Sequence, residues 1–193
     1  MNTGIIASRY ATALLKLVDE TGGGEAVMRQ VQMIRKALET VPDLRRAVAD
    51  RTAVSPSQKV SLIEAVVAHD GGNESLAPEL RKLVQLLVKN GRIGDISLVL
   101  SSFETEYYRS RGIVRGFLKL SHPKDSATEE LENKIKGLIE SKTGKSLLLV
   151  TEVDESLIGG FVLEVEDRLL DASVSHQLEM IQRQFVEKNR RIV

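Results

Sequence analysis

Hydrophobic residues recur every three or four positions through the first half of the chain, a spacing that predicts consecutive amphipathic helices. The first helix is expected from Thr3 to about Thr21, where Gly22-Gly23-Gly24 ends it. The apolar stripes of other helices are Val27, Val31, Ile34 and Leu38 in the second, Leu44 and Val48 in the third, Val60, Ile63 and Val67 in the fourth, and Ile96, Leu100, Phe103 and Tyr107 in the sixth. Six helices joined by short loops predict an antiparallel bundle.

Helix ends in this half carry recognisable local signals. Ser55 is a candidate N-cap, Pro56 suits the first helical position, and Gln58 completes a capping box. The fifth helix is expected from about Ser75 to Asn90, with Gly91 after it in a left-handed conformation.

After Gly112 the hydrophobic period changes and an α/β pattern follows. Strands are expected at Ile113–Leu120, at Ser146–Val153 (a buried strand), at Phe161–Val165, and after a turn at Asp167-Arg168 from Leu169 to Ala172. One helix is expected from a capping box of Ser126 and Glu129 to Gly144, and a last one carries Val174, Leu178, Ile181 and Phe185. The predicted fold class is α+β, a six-helix bundle over residues 1–111 and a small α/β domain over 112–193.

Composition narrows the class of protein. Lys plus Arg and Asp plus Glu each total 27, so the net charge of zero offers no overall attraction to nucleic acid. The chain has no Cys, which excludes disulfides, a thiol nucleophile and thiolate metal sites. Neither an apolar run of the ~20 residues that span a bilayer nor a secretory signal is visible. We therefore expect a soluble cytosolic protein that meets a membrane only through partners.

Gly144-Lys145-Ser146 resembles the end of a phosphate-binding loop, but the surrounding pattern disagrees. That loop needs a Gly where Ile139 stands, and it needs a strand before it and a helix after it. Here the predicted order is reversed, which favours Gly144 as a helix C-cap.

No other pattern points to chemistry. His69, His122 and His176 are far apart and form no metal-binding spacing. No GxSxG occurs, and aromatic residues make up only 4% with no Trp. We predict no catalytic, cofactor-binding or metal site, no bound nucleotide, and a protein that is not an enzyme.

Two helices carry more apolar surface than one core face requires. At about 100° per residue, the apolar arc of the first helix covers roughly 200°, against the ~100° stripe of a typical amphipathic helix. Its members are Ala13, Ile6, Leu17, Tyr10, Leu14, Ala11, Val18 and Leu15; the fifth helix has a similar arc of Leu86, Leu83, Leu76, Leu87, Leu80, Val84 and Val88. Either these helices are central in the bundle, or they border a groove for an amphipathic helix of another protein.

Three segments, in order and together spanning nearly the whole chain, resemble the delta family of F-type ATP synthases, whose mitochondrial members are called the oligomycin-sensitivity-conferring protein. They are Ala7-Ser8-Arg9-Tyr10-Ala11 with Ala13-Leu14, then Leu86-Leu87 with Asn90-Gly91-Arg92, and finally Val153–Phe161 continuing to Asp171-Ala172-Ser173-Val174. The third resembles the family's signature, in which Asp154, Gly159, Gly160, Asp171 and Ser173 are interpreted as structural, with Ser173 capping the last helix. Lys119–Pro123 and Glu164 depart from the family pattern and leave the C-terminal contact surface less defined.

The resemblance implies a non-catalytic stator subunit that links the catalytic head to the peripheral stalk during proton- or sodium-driven ATP synthesis. The alpha subunits' N-terminal helices would bind between the first and fifth helices. The residues expected there are Tyr10, Ala13, Leu17, Lys82, Leu83 and Leu86. The C-terminal domain would hold the C-terminal end of subunit b, with the last helix from Leu178 to Phe185 as the expected contact.

The implied location is the cytoplasmic face of a bacterial inner membrane, as a peripheral protein, because the chain begins at the family's first helix without a transit peptide. Two other interpretations stay open. One is a free-standing helical adaptor that binds an unrelated amphipathic helix, and the other is a nucleotide-binding enzyme built around Gly144-Lys145-Ser146.

Overall fold

Helices make up the first part of the chain, and a four-stranded sheet with two helices makes up the rest. The computed structural model describes residues 3–50, 52, 54–70 and 74–190, the stretch 184–190 by its backbone. The elements are α1 Thr3–Thr21, α2 Gly24–Thr40, α3 Pro42–Ala49, α4 Pro56–Asp70, α5 Pro78–Lys89, a 3₁₀ turn Ile93–Asp95, α6 Ile96–Ser110, β1 Ile113–Leu120, α7 Ser126–Thr143, β2 Ser146–Val153, β3 Phe161–Val165, β4 Arg168–Asp171 and α8 Val174–Arg190. The α+β fold class and its order of a six-helix bundle before an α/β domain are confirmed.

The chain divides into two compact units between Tyr107 and Tyr108, within the last turns of α6. The sequence places the boundary near Gly112, at the turn after that helix, where the glycine has a φ of 64°. The two positions differ because the last three residues of α6, 108–110, group with the second unit.

The longer helices of the bundle each bury an apolar stripe, and the short α3 buries Val48. Its largest fully enclosed side chains include Phe103, Ile34, Ile63, Leu80, Leu87, Ile96 and Leu100. Polar contacts also join helices inside this unit; for example, Arg35 pairs with the buried Glu104, and Ser8 and Thr12 donate to the two carboxylate oxygens of Glu106 at 3.0 and 2.8 Å.

The predicted capping box of α4 is confirmed. Ser55 N donates to Gln58 Oε1 at 2.9 Å, and Gln58 N donates to Ser55 Oγ at 3.3 Å. The signal could be read from the sequence because all of its atoms lie within four consecutive residues.

The start predicted for α5 is wrong, because the helix begins at Pro78 and not at Ser75. The residue before a proline avoids the helical conformation, so Ala77 is extended and Leu76 lies outside the helix arc in which it was placed. The side chain of Gln30 hydrogen-bonds the backbone of this extended segment. Its Nε2 donates to Ser75 O at 3.1 Å, and its Oε1 accepts from Ala77 N at 2.8 Å.

The capping box predicted for α7 is wrong by one residue. Asp125, not Ser126, is the N-cap: its Oδ1 accepts from Thr128 N at 2.8 Å, and Asp125 N donates to Thr128 Oγ1. The capping patterns that begin at Asp125 and at Ser126 overlap in the sequence. The carboxylate of Asp125 is the stronger acceptor for the N–H groups at a helix N-terminus.

The sheet has the order β2-β1-β3-β4, with β1 parallel to β2 and antiparallel to β3. Its covered face forms the core of this unit, made of Val114, Leu118, Leu120, Leu147, Leu163 and Ile135 of α7. The interpretation of β2 as a buried strand is wrong, because it lies at an edge with Leu148 and Val153 exposed. Apolar composition showed a strand here but not its place in the sheet.

The hairpin between β3 and β4 turns at Glu166-Asp167, one residue before the predicted Asp167-Arg168. Val165 pairs with Arg168, which leaves a two-residue loop, and Glu166 has a φ of 53°. Such tight loops favour a left-handed first residue, and Arg168 therefore begins β4.

Candidate functional site

Helices α1 and α5 lie side by side and run in opposite directions. Tyr10 lies near the middle of α1, and its OH accepts a hydrogen bond from Nδ2 of Asn90, just past the end of α5, at 2.8 Å. Beyond the end of α1, a Cβ on Gly23 would lie 3.7 Å from Oε1 of Glu79, in the first turn of α5. The two helices that the sequence singled out are therefore neighbours.

Most of the apolar arc of α5, and a smaller part of the arc of α1, is buried inside the bundle. On α1 the buried residues are Ala7, Ala11, Leu14 and Val18, and on α5 they include Leu80, Leu83, Val84 and Leu87. A central position in the bundle thus accounts for most of the α5 arc, but for only three of the eight residues of the α1 arc, Ala11, Leu14 and Val18. What remains at the surface is narrower than the sequence suggested.

The six residues predicted for the groove have different environments. Ala13 and Lys82 are exposed, Leu86 is 44% exposed, and Tyr10 and Leu17 are half-buried. Leu83 is only 6% exposed, so its side chain supports the surface from below.

Ile6 joins this surface although it was not among the six. It is half-buried and precedes Tyr10 by four residues, which places it on the same face of α1. We call Ile6, Tyr10, Ala13, Leu17 and Leu86 the α1–α5 strip. Lys82 stands beside this strip and, among the described residues, makes no ion pair, so its charge is available to an acidic partner.

The glycine pair of the C-terminal unit is required by close backbone contact. Gly160 has a φ of 81°, and a Cβ there would lie 2.3 Å from the carbonyl oxygen of Ala172. A Cβ on Gly159 would lie 2.9 Å from Cγ2 of Val174. These contacts hold the start of β3 against the start of α8.

Both aspartates of this signature are satisfied by local hydrogen bonds. Asp154 Oδ1 accepts from Ser156 Oγ at 2.5 Å and from Ser156 N at 3.0 Å, and these bonds lower the pKa of Asp154. Hydrogen bonds from Ser173, by its side chain and its N–H, lower the pKa of Asp171.

Ser173 is 3% exposed, and its Oγ accepts from His176 N at 3.2 Å, which caps α8. The bonds of Asp154, Asp171 and Ser173 all lie within turns and a helix end. The arrangement suits a structural role and offers no reacting group.

Helix α8 leaves its apolar stripe uncovered. We define the α8 stripe as Val174, Leu178 and Ile181, which recur at helical spacing and are 38%, 56% and 49% exposed. The side chain of Phe185, predicted to continue this stripe, lies outside the described residues. In the same unit Ile158 and Leu169 are also exposed, at 79% and 67%.

The phosphate-loop motif has the reversed order that the sequence predicts. Helix α7 comes before Gly144, which has a φ of 67° and donates its N–H to Glu140 O, and β2 comes after it. Across the ranges that the structure describes, no group of three or more His, Asp or Glu residues could hold a metal ion. None of the described helices is long and apolar enough to cross a membrane.

Comparison with known proteins connects this geometry to one family. The family model "ATP synthase delta (OSCP) subunit" matches residues 6–185. The chain is 31% identical to the "ATP synthase subunit delta" of Phocaeicola vulgatus over 193 residues, covering 100% of both chains. It is 33% identical to the protein of the same name from Bacteroides fragilis, again over 100% of both chains.

A solved structure has the same fold. In the cryo-EM structure of the Toxoplasma gondii mitochondrial ATP synthase hexamer, one chain superposes with a TM-score of 0.69 and 25% sequence identity. The superposition covers 93% of this chain and 97% of that one. Both units therefore fall within the similarity.

Proposed function

The chain belongs to the ATP synthase delta (OSCP) family, and we propose that it is the stator subunit that joins the catalytic head of an F-type ATP synthase to its peripheral stalk. The observation that carries this proposal is the family match over residues 6–185, which includes both units. The family is a structural subunit of the enzyme, and the proposed role needs two binding surfaces and no active site.

The proposed head contact is the α1–α5 strip. An amphipathic helix, such as the N-terminal segment of an alpha subunit, would cover Leu86 and Ala13 and pack against Tyr10 and Leu17. Leu86 is 44% exposed, so a bound helix would remove apolar surface of this side chain from water. Lys82 would pair with an acidic residue of the bound helix.

The proposed stalk contact is the α8 stripe. Its residues repeat at the spacing with which one helix packs against another, and the C-terminal end of subunit b would supply the second helix. Half-exposed Leu178 and Ile181 at the centre of a helix are costly in water, and a partner helix would remove them from it.

Two separate contacts suit a part that resists torque. Rotation of the central shaft would carry the head with it unless the head were tied to a stationary element. When one contact opens, the other keeps the partners at a high effective concentration, so contacts of modest affinity together give slow release. The subunit would act at the cytoplasmic face of the bacterial inner membrane, held there by its partners, during proton- or sodium-driven ATP synthesis.

Reciprocal variants test the two surfaces separately in the full chain. Tyr10→Ala and Leu86→Asp remove apolar contact from the α1–α5 strip, and Leu178→Asp places a charge on the α8 stripe. By calorimetry, we expect the first two to weaken binding of an alpha N-terminal peptide at least tenfold and to leave binding of a subunit b C-terminal fragment unchanged. Leu178→Asp should weaken binding of the subunit b fragment and leave binding of the alpha peptide unchanged.

Each variant serves as the folding control for the others, because a global loss of structure would weaken both partners at once. Unchanged peptide affinity in Leu86→Asp would remove the α1–α5 strip from the proposal. If the chain binds neither partner and isolates no ATP synthase subunit, a free-standing helical adaptor becomes the better explanation.

A further inference from the structure

A cavity of about 330 Å³ lies beside the start of α4 and the segment that connects α5 to α6. Its lining includes Lys59 of α4, Val88 and Gly91 at the end of α5, and Arg92 and Asp95 just beyond. This volume is at the lower limit of the roughly 300–1,000 Å³ of small-molecule sites, so it suits a small ion with a few waters.

Lys59 is buried, and within the described part of the chain its ammonium group has no carboxylate partner. It is 6% exposed, and its Nζ donates to the carbonyl oxygen of Asp50, where α3 ends. An ammonium group has three N–H donors, and this bond uses one of them. Within the described ranges, neither Lys59 nor Arg92 forms an ion pair. Burial of a positive charge without an opposite charge is costly.

Among the described residues that line the cavity, the charged ones are two cations and one anion. Lys59 and Arg92 are positive, Asp95 is negative, and the carbonyl end of α3 adds a partial negative charge on the Lys59 side. The excess is one positive charge, and Arg92 is half-buried at the edge of the cavity. Its planar group can donate two parallel hydrogen bonds to one oxyanion.

We propose that this cavity binds a small tetrahedral oxyanion of the phosphate class, held between Lys59 and Arg92. The anion supplies the opposite charge that the buried ammonium lacks and accepts its remaining N–H donors. The negative charge of Asp95 repels the oxyanion and keeps the affinity of the cavity for it modest. The cavity is separate from the α1–α5 strip and the α8 stripe, so the proposal of anion binding does not depend on the proposed stator function.

Titration of the full chain with sodium phosphate tests the site, with sodium chloride at equal ionic strength as the reference salt. We expect saturable heat with phosphate alone, and phosphate-dependent NMR shifts of the amides from Gly91 to Asp95. Arg92→Gln should weaken phosphate binding at least tenfold. Asp95→Asn should strengthen it several-fold, because it removes the opposing charge.

Lys36→Gln is the matched control, since it removes one positive charge from the exposed side of α2, outside the cavity. It should leave phosphate affinity unchanged. Lys59→Met should abolish phosphate binding. If loss of the hydrogen bond to Asp50 unfolds the bundle, the Arg92 and Asp95 variants still test whether the cavity binds phosphate. Identical responses to phosphate and chloride would overturn the proposal, and so would equal affinities of Asp95→Asn and the parent protein.

Discussion

The two units of this protein differ in how completely they cover their own apolar side chains. In the bundle, helices on several sides enclose residues such as Leu87, Phe103 and Ile34, which have no exposed area. In the C-terminal unit, α7 covers one face of the sheet, while Leu178 of α8 and Leu169 of β4 stay more than half exposed.

The difference follows from geometry. Six helices can all direct a stripe toward one centre, so a bundle completes its core without help. A sheet has two faces, and a single packed helix covers only one of them. We infer that the bundle is stable by itself and offers a narrow binding strip, whereas the C-terminal unit gains more from a partner.

The largest effect is expected for Gly160→Ala. The added methyl would meet the Ala172 carbonyl at 2.3 Å in a backbone with a φ of 81°, so we expect the C-terminal unit to lose more than about 4 kcal/mol. Urea unfolding followed by NMR should show that unit melting first while signals of the bundle persist.

The matched control is Gly137→Ala in the middle of α7, where an added Cβ meets nothing within 4 Å. This change should stabilise the same unit by about 1 kcal/mol, because alanine favours helix over glycine. If both glycine variants were neutral, the close contact between β3 and α8 would not hold the unit together.

A smaller effect separates two neighbouring leucines of α5. Leu87 is fully buried, so Leu87→Ala should lower the free energy of unfolding by about 2–5 kcal/mol. Leu86 is 44% exposed, so Leu86→Ala should cost less than about 1 kcal/mol. Urea midpoints of the two variants measure the contrast. Equal losses would show that Leu86 belongs to the core and not to a binding surface.

The smallest effect is a difference in acid sensitivity. Each described carboxyl group with a clearly lowered pKa, namely Asp125, Glu132, Asp154 and Asp171, lies in the C-terminal unit. The main causes are hydrogen bonds, from Thr128 to Asp125 and from Lys124 to Glu132, for example.

Because folding lowers these pKa values, the groups stabilise the folded unit above their ordinary values of 3.8 and 4.5, and this contribution is lost as the pH falls through the folded-state values. Thermal unfolding at about pH 7 and about pH 3, followed by NMR signals from each unit, should show a larger loss in the C-terminal one. Asp125→Asn should reduce that difference, and equal losses in both units would contradict it.

Features with one clear local signal were predictable from the sequence. Where two local signals overlap, the sequence predicted the outcome less well. The bounds of β1 and β2 and the capping box at Ser55 follow from patterns within a few residues. The cap of α7 went to Asp125 because two overlapping patterns were available and only the folded geometry chooses between them. The start of α5 follows the local signal of Pro78, whereas the hydrogen bonds that Gln30 makes to the segment before it depend on a distant partner that no local pattern shows.

The sequence by itself determined the type and order of the elements, the capping box of α4 and the glycine turns, because these depend on interactions within a turn or a strand pair. The tertiary structure alone decided which apolar residues are covered. Leu83 is buried and Leu86 is open, β2 became an edge, and the α8 stripe stayed exposed. Burial depends on which element lies across from a side chain, and that neighbour is set by the packing of the whole unit.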